Sequence, residues 1–258
     1  MKNDEFGDRM KKYEQAYTSA KIDPNKWMAV RIDGKGFSKF TKGFKKPFDH
    51  GITNAMVTTT KRLVEETHAS VGYTQSDEIT LLYPPVEGER IFNGKVSKIN
   101  SVFASMATAH FNVLIQTMGH IPVDRLAYFD CRTWEIPSDI EASNVLLWRA
   151  QDARKNSISS LFRWTAGAKL MHGLNGESMT TILENEYDVW WDKIPNQWKY
   201  GAYVKPVKVE SYLTSEELQN IPENKWPTDL LVTRRQIMTV DVGFFGDLPI
   251  EQRVNFIL

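Results

Sequence analysis

The chain has 258 residues, with 32 Lys+Arg against 32 Asp+Glu, 41% hydrophobic and 25% charged residues. That make-up is of a folded globular protein of one or two domains, neither disordered nor fibrous. No run approaches the roughly 20 apolar residues of a membrane helix. The opening MKNDEFGDRMKKYEQ holds no secretory apolar stretch, so the expected setting is the cytoplasm, with no membrane partner. A single cysteine, Cys131, excludes an intramolecular disulfide and a Cys-based zinc knuckle. His50, His68, His110, His120 and His172 show no paired ligand spacing and read as structural. Zero net charge does not exclude a nucleic-acid partner, because phosphate binding depends on local clustering of basic residues.

Residues 5 to 20 are polar and helix-compatible, and the breaker cluster Asp23-Pro24-Asn25 ends them. Trp27 to Asp33 alternates, with Met28, Val30 and Ile32 on one face and Arg31 and Asp33 on the other, which predicts a strand. Gly34-Lys35-Gly36 breaks it, and a loop with short helical turns follows through Phe37, Phe40, Phe44 and Phe48. Helical spacing returns from Ile52 to Thr67. Ser70–Tyr73 and Ile79–Tyr83 read as a hairpin whose turn, Thr74-Gln75-Ser76-Asp77-Glu78, carries the acids. A long amphipathic helix is expected from Lys95 to Thr117, with Pro122 beyond its end, and a fourth strand at Ala127–Cys131.

The resulting β-α-β-β-α-β order is the split βαβ, or ferredoxin-like, arrangement of an α+β protein, spanning about residues 26–132. The region 133–258 is expected to add a helix at 139–164, a shorter helix near Ser178, and strands at Tyr200–Lys208 and Gln236–Asp241 around a Pro-rich, acidic connection. This last third reads as less regular. The whole chain, 1–258, is read as one compact unit, with any boundary falling between 165 and 200.

In that topology the first and third strands are antiparallel neighbours, so the end of one meets the start of the other. Asp33 and Asp77 occupy those two places. Two carboxylates and the Gly34 carbonyl suit Mg²⁺, which takes oxygen ligands and leaves positions for phosphates and water. Two such ions could run phosphoryl transfer. The bland alternative, an Asp-Gly turn and a hairpin cap, uses the same residues. Arg31, Lys35, Lys39, Lys42, Lys45 and Lys46 form a basic patch interleaved with phenylalanines. Gly34 and Gly36 there permit close approach to a triphosphate, and Phe37 or Phe44 could meet a base. A solvated lysine face over a phenylalanine core is the competing reading. Lys95 and Lys98, three apart at a helix start, fit phosphate. Arg132, Arg149 and Arg154 follow with Asn156 and Ser157 nearby, although Arg149 and Asp152 could be an ordinary i,i+3 pair.

Taken together, Arg31-Ile-Asp-Gly-Lys-Gly-Phe37, Phe44-Lys-Lys-Pro-Phe-Asp49, Gln75-Ser-Asp-Glu78, Phe129-Asp-Cys-Arg132 and Trp148-Arg-Ala-Gln-Asp152 through Asn156-Ser157 resemble the tRNA-histidine guanylyltransferase family and its Thg-like 3′-to-5′ polymerases. The likeness covers roughly residues 5 to 210. It implies a polymerase-type palm that uses two Mg²⁺ ions, with GTP and ATP as substrates, to add nucleotides to the 5′ end of tRNA or a similar RNA. It further implies a homotetramer. By motif, Asp33, the Gly34 carbonyl and Asp77 are the implied metal ligands, and Glu78 supports the catalytic site. Lys35, Gly36 and Phe37 are implied to cradle one triphosphate. Lys46, Asp49 and Ser76 come near its base and sugar, and Lys95 and Lys98 hold a second triphosphate. Arg31, Arg132, Arg149, Arg154 and Asn156 are implied contacts to RNA or phosphate.

Arg154-Lys155-Asn156-Ser157 departs from the His-Ile-Asn-Asn of the eukaryotic tRNA-histidine enzymes, which resembles the Thg-like branch and its templated repair of 5′-truncated tRNA. Cys131 departs from a common glycine. A nucleotidyl cyclase acting on free nucleotides and a catalytically lapsed RNA-binding protein stand as alternatives.

Overall fold

The computed structural model describes residues 4–119 and 125–258. His120 and Pro122 lie outside the described residues. The elements in chain order are α1 (Glu5–Thr18), β1 (Trp27–Gly34), α2 (Phe37–Phe40), α3 (His50–Thr67), β2 (Val71–Gln75), β3 (Glu78–Tyr83), α4 (Val96–Thr117) and β4 (Phe129–Ile136). They continue with α5 (Asp139–Thr165), α6 (Gly176–Tyr187), α7 (Asn196–Lys199), β5 (Ala202–Tyr212), α8 (Ser215–Asn220), β6 (Leu231–Val240) and α9 (Ile250–Ile257), with short 3₁₀ turns between several of them.

The strands form one sheet in the order β4-β1-β3-β2-β5-β6, and every neighbouring pair is antiparallel. Period-2 alternation sorts the side chains of β1. Met28, Val30 and Ile32 enter a core shared with α3 and α4, while Trp27 and Ala29 enter a second core beneath α5 and α9. Helix α3 contributes Ile52, Ala55, Met56, Leu63 and Val64 to the first core, at a stabilisation of about 1.5–3 kcal/mol for each large side chain. Of its three consecutive threonines, Thr59 and Thr60 are buried; the Thr60 hydroxyl donates to the Met56 carbonyl at 2.8 Å, whereas the Thr59 hydroxyl has no partner among the described residues. His110 is structural. Its ring bridges α4 to α3, lying 2.9 Å from Glu66 and 3.2 Å from Arg62.

Several boundaries differ from the sequence reading. The hairpin strands run on to Gln75 and back from Glu78, leaving only Ser76 and Asp77 in the turn, so Glu78 is a strand residue. Strand β4 begins later and reaches Ile136, because it pairs along the whole of β1 from Gly34↔Phe129 to Trp27↔Ile136. The last third is more regular than expected. Strands β5 and β6 pair over ten positions, from Tyr203↔Val240 to Tyr212↔Leu231, and β5 adds to β2, so both extend the central sheet. A third apolar cluster joins the second half of α5 to α6 around Phe162, Leu183 and Trp191, beyond the sheet end where β1 finishes.

Candidate active site

The end of β1, the β2–β3 turn and one face of α5 converge. Asp33 is the direct cross-strand partner of Glu78, and Asp77 precedes Glu78 in the turn. The Gly34 N–H donates to the Asp77 carbonyl at 3.1 Å, carrying the ladder one step past the strand. A side chain at Gly34 could not be accommodated, since a Cβ there would lie 2.9 Å from the Asp77 Cβ and 2.6 Å from the Phe37 ring. The turn is itself strained: Ser76 has φ 55°, a left-handed conformation that a non-glycine residue adopts at a cost. The Thr74 hydroxyl, donating to the Glu78 carbonyl at 2.8 Å, braces it.

The three carboxylates are treated differently. Glu78 accepts from Arg149 Nε at 2.6 Å and lies 4.0 Å from Arg31 Nε. Arg149 also donates to Asp152 at 2.9 Å, and Asn156 donates to the same Asp152 oxygen at 3.3 Å. Burial pushes the Glu78 carboxyl up, and the two guanidiniums hold it back. Asp77 is also pushed up, first by burial, with its Ser76 hydrogen bond opposing and the Asp33 charge adding to the rise. Among the described residues the Asp33 carboxylate makes no hydrogen bond or ion pair to any protein group. Two carboxylates, one of them partnerless, thus feel one another at the sheet end.

Those residues open on a cleft of ≈ 870 Å³, walled by Asp33, Asp77 and Glu78 on the sheet side, by Lys39, Lys42, Phe44 and Lys46 on the loop side, and by Asn156 on α5. A deeper recess of ≈ 440 Å³ adjoins it and shares Phe44, Lys46, Ser76, Asp77 and Asn156. No group of three His, Cys, Asp or Glu side chains that could cage a metal occurs among the described residues. An ion held by Asp33 and Asp77 therefore keeps most positions for water and phosphate oxygens, and a purely oxygen donor set with open positions fits Mg²⁺ rather than a closed zinc site.

The other expected site residues divide clearly. Lys46 lines both cavities, with its ammonium 3.1 Å from the Thr41 hydroxyl. Asp49 lines the recess, yet its carboxylate is occupied by the backbone N–H groups of Lys45 and Ile52, both at 3.0 Å, as the N-cap of α3. The Phe37 ring belongs to the core, packed on Phe40, Phe111 and Phe129. Only its backbone faces the loop, where Gly36 adopts φ 60° to start α2. The Lys35 N–H donates to the Tyr128 carbonyl at 2.8 Å. Arg31 stacks on Trp148, and Arg132, its partner across β1 and β4, pairs on the surface with Asp130 at 3.1 Å.

Lys95 and Lys98 are not in this cleft. The Thr133 hydroxyl meets Asn100 near the start of α4, whereas Asn112, two-thirds along the helix, binds Ala127 at the site end of the sheet. The helix therefore begins at the opposite end from Asp33. The crossover dictates this, since β3 leaves from the site end and the helix after it must run back. Lys98 packs over Phe92, and Lys95 bridges to Lys21. Arg154 also points elsewhere, over Trp191 and Phe244 in a separate groove on the far side of α5.

The sequence reading missed Arg125. Its guanidinium donates to the carbonyls of Lys39 (3.2 Å), Phe40 and Lys42 (2.7 Å) and stacks on Phe40 and Phe44, pinning the lysine-rich loop in place. It also missed Ser160 and Trp164, which follow Asp152 and Asn156 at i+4 steps on α5 and line both cavities. That helical spacing was readable.

A paired carboxylate end on an antiparallel sheet, facing a lysine-walled cleft within an α+β fold, suits the phosphoryl-transfer chemistry of a nucleotidyltransferase, the class in which the relatives place the chain. Residues 7–137 match the model of the family described as Thg1, tRNAHis guanylyltransferase. The chain belongs to the tRNA-histidine guanylyltransferase family. It is 33% identical over 227 residues to an uncharacterized protein, R259, of Acanthamoeba polyphaga mimivirus, covering 79% of this chain and 77% of the viral one. A probable tRNA(His) guanylyltransferase of Drosophila melanogaster is 26% identical over 195 residues, covering 70% and 67%. Among solved structures, a bacterial Thg1-like protein in complex with ATP superposes with a TM-score of 0.73 at 38% identity, covering 78% of this chain and 88% of that one. One in complex with GTP gives a TM-score of 0.71 at 32% identity, covering 98% and 99%.

Proposed function

We propose that the protein is a Mg²⁺-dependent nucleotidyltransferase that adds nucleotides in the 3′-to-5′ direction to the 5′ end of tRNA or a tRNA-like RNA. The β1 to β4 unit, in the order β4-β1-β3-β2, serves as a ferredoxin-like polymerase palm. Strands β5 and β6 continue its sheet, so the chain acts as one catalytic unit. The observation that carries this reading is the partnerless Asp33 carboxylate beside the raised Asp77 in a lysine-walled cleft.

Asp33, Asp77 and the Gly34 carbonyl would hold two Mg²⁺ ions, which when bound neutralise phosphate charge and acidify a hydroxyl. Glu78 is a positioning residue: clamped by Arg149, it fixes the start of β3 and so the place of Asp77 and Asp33. The N–H groups of Gly36, Phe37 and Ser38, which donate to no protein acceptor among the described residues, turn toward the triphosphate of GTP or ATP with Lys39, Lys42 and Lys46, while Phe44 and Ser76 border its base and sugar. The 3′-hydroxyl of the incoming nucleotide attacks the α-phosphorus of the activated RNA 5′ end. A phosphodiester bond forms as the bond to pyrophosphate, or to AMP after ATP activation of a 5′-monophosphate, breaks. Arg132 faces the RNA phosphates from the open surface.

The bacterial neighbours bound to ATP and to GTP support nucleotide binding in this fold. Arg154-Lys155-Asn156-Ser157 favours templated repair over strict guanylate addition. By family likeness four copies assemble.

Extension of a panel of 5′-truncated, 5′-triphosphorylated tRNAs, read at nucleotide resolution, tests the proposal. Additions that follow the opposing base are expected. RNA-independent cyclic nucleotide product, or tight RNA binding with no incorporation, would overturn it.

A further inference from the structure

Helix α1 is fully formed yet buries nothing. Asp4 caps it, accepting from the Gly7 N–H at 2.9 Å, and all fourteen residues remain outside the core. A helix of this length is marginal in water without a packing partner. Its apolar residues are nonetheless ordered. Phe6, Met10, Tyr13 and Tyr17 are exposed, Phe6 at 65% and Tyr17 at 92%. They are spaced four, three and four apart, which places all four within a narrow stripe on one face.

That spacing is a heptad seam, with Phe6 and Tyr13 at d and Met10 and Tyr17 at a. The rest of the helix obeys the same frame. Positions b, c and f hold Glu5, Asp8, Lys11, Lys12, Gln15 and Thr18, all polar, and Asp8 and Lys11 pair with each other at 3.3 Å on the outer face. Arg9 falls at g and Glu14 at the following e. In a parallel two-stranded coil, g of one helix faces the next e of its partner. Two copies of α1 side by side in register therefore place each Arg9 against the other's Glu14. An antiparallel pair instead sets g against g and e against e, so Arg9 meets Arg9 or Ala16 and Glu14 meets no cation.

We infer that α1 is a self-association surface, pairing in parallel with α1 of a second copy of this chain through Phe6, Met10, Tyr13 and Tyr17. The occupant follows from charge complementarity, because the helix carries on its own flanks both halves of the ion pairs that flank the seam. The contact is two-fold symmetric, so it closes at two copies. It names one interface of the assembly expected from family likeness and is independent of the chemistry in the cleft.

The test uses the full-length chain. Met10→Cys, combined with Cys131→Ser, is expected to form a disulfide-linked dimer on mild oxidation, since a positions face each other in register. In sedimentation equilibrium Arg9→Glu and Glu14→Arg should each weaken self-association about tenfold, and the double exchange should restore it to within about threefold, estimates for exposed pairs reversed from attraction to repulsion. Absence of the cross-link, or a double variant weaker than either single one, overturns the parallel pairing. Binding of α1 to phospholipid vesicles with self-association unaltered by the exchanges also overturns it. A tetramer that persists through every variant without cross-linking removes α1 from the interface but leaves the tetramer, whereas a wild-type monomer at all concentrations removes both.

Discussion

Arg31 and Arg90 lie at opposite ends of the sheet, both largely withdrawn from water, and their guanidiniums are solvated in opposite ways. Arg90 is buried beside the start of β1 and donates to the carbonyls of Asp23 (3.2 Å), Pro24 (3.3 Å) and Lys26, so protein oxygen replaces the water it lost. Arg31 sits two residues before Asp33. Its Nε is buried without a hydrogen-bond partner, its nearest carboxylate oxygen is 4.0 Å away, and its plane rests on Trp148. Buried polar groups are normally paired. The end that closes the fold satisfies its charge, and the cleft end leaves the buried Arg31 Nε and the Asp33 carboxylate without hydrogen bonds, Asp33 alone of the two lining the cleft.

Deleting a carboxylate at the cleft end tests that contrast most severely. Asp33→Ala or Asp77→Ala is expected to lower turnover about a thousandfold while the thermal melt in metal-free buffer stays level or rises, because Asp33 has no partner to lose and burial and the Asp33 charge outweigh the hydrogen bonds that Asp77 holds. A variant with full activity would break the comparison. Next in size is Arg149→Ala. It strips Glu78 and Asp152 of their cation where both the Arg149 and Glu78 side chains are nearly inaccessible, and should cost about 3 kcal/mol in urea unfolding. Turnover should fall as well, since Glu78 sets the start of β3.

The cleft end was legible because its parts obey simple periods. Trp27 to Asp33 alternates visibly, and the β-α-β-β-α-β order alone puts the end of β1 beside the start of β3, so Asp33 and Asp77 could be brought together on paper. The same topology carried the information that Lys95 and Lys98 sit at the other end. A helix start is a phosphate site only if it points the right way, and a crossover helix that follows β3 does not. Arg125 left no trace in the chain. Its acceptors are backbone carbonyls 83 to 86 residues away, and carbonyls belong to every residue type. Strands β5 and β6 ran longer than expected for a related reason. Beyond Val204 no residue of β5 is buried, and from Lys208 to Tyr212 it alternates only between exposed and half-exposed, so no buried apolar face marked how far the strand runs.

At the closed end, Arg90→Ala should cost about 2 kcal/mol in the same urea experiment, through loss of the charge-assisted bonds to three part-buried carbonyls, of which only that of Lys26 has no backbone N–H donor as well among the described residues. The turnover per folded molecule should stay unchanged. Loss of activity beyond the folded fraction would show the two ends to be coupled, and the contrast between them would fail.

The smallest effect concerns metal and pH together. Burial and the Asp33 charge raise Asp77, so the folded protein keeps that proton to a higher pH than the unfolded chain does. Without metal, this site therefore costs stability as pH climbs from the ordinary carboxylate range through the raised Asp77 value, and the cost is complete above it. A divalent cation binds only the ionised pair, so its stabilisation must grow across that same window. At tenfold excess over its dissociation constant Mg²⁺ contributes about 1.4 kcal/mol, a rise of roughly 3–5 °C in melting temperature for a chain of this size. The rise should be present at pH 7.5 and absent near pH 4. Asp33→Ala should abolish it at both, whereas Arg90→Ala should leave it intact. A Mg²⁺ shift of equal size at both pH values would mean that the ion binds away from these carboxylates.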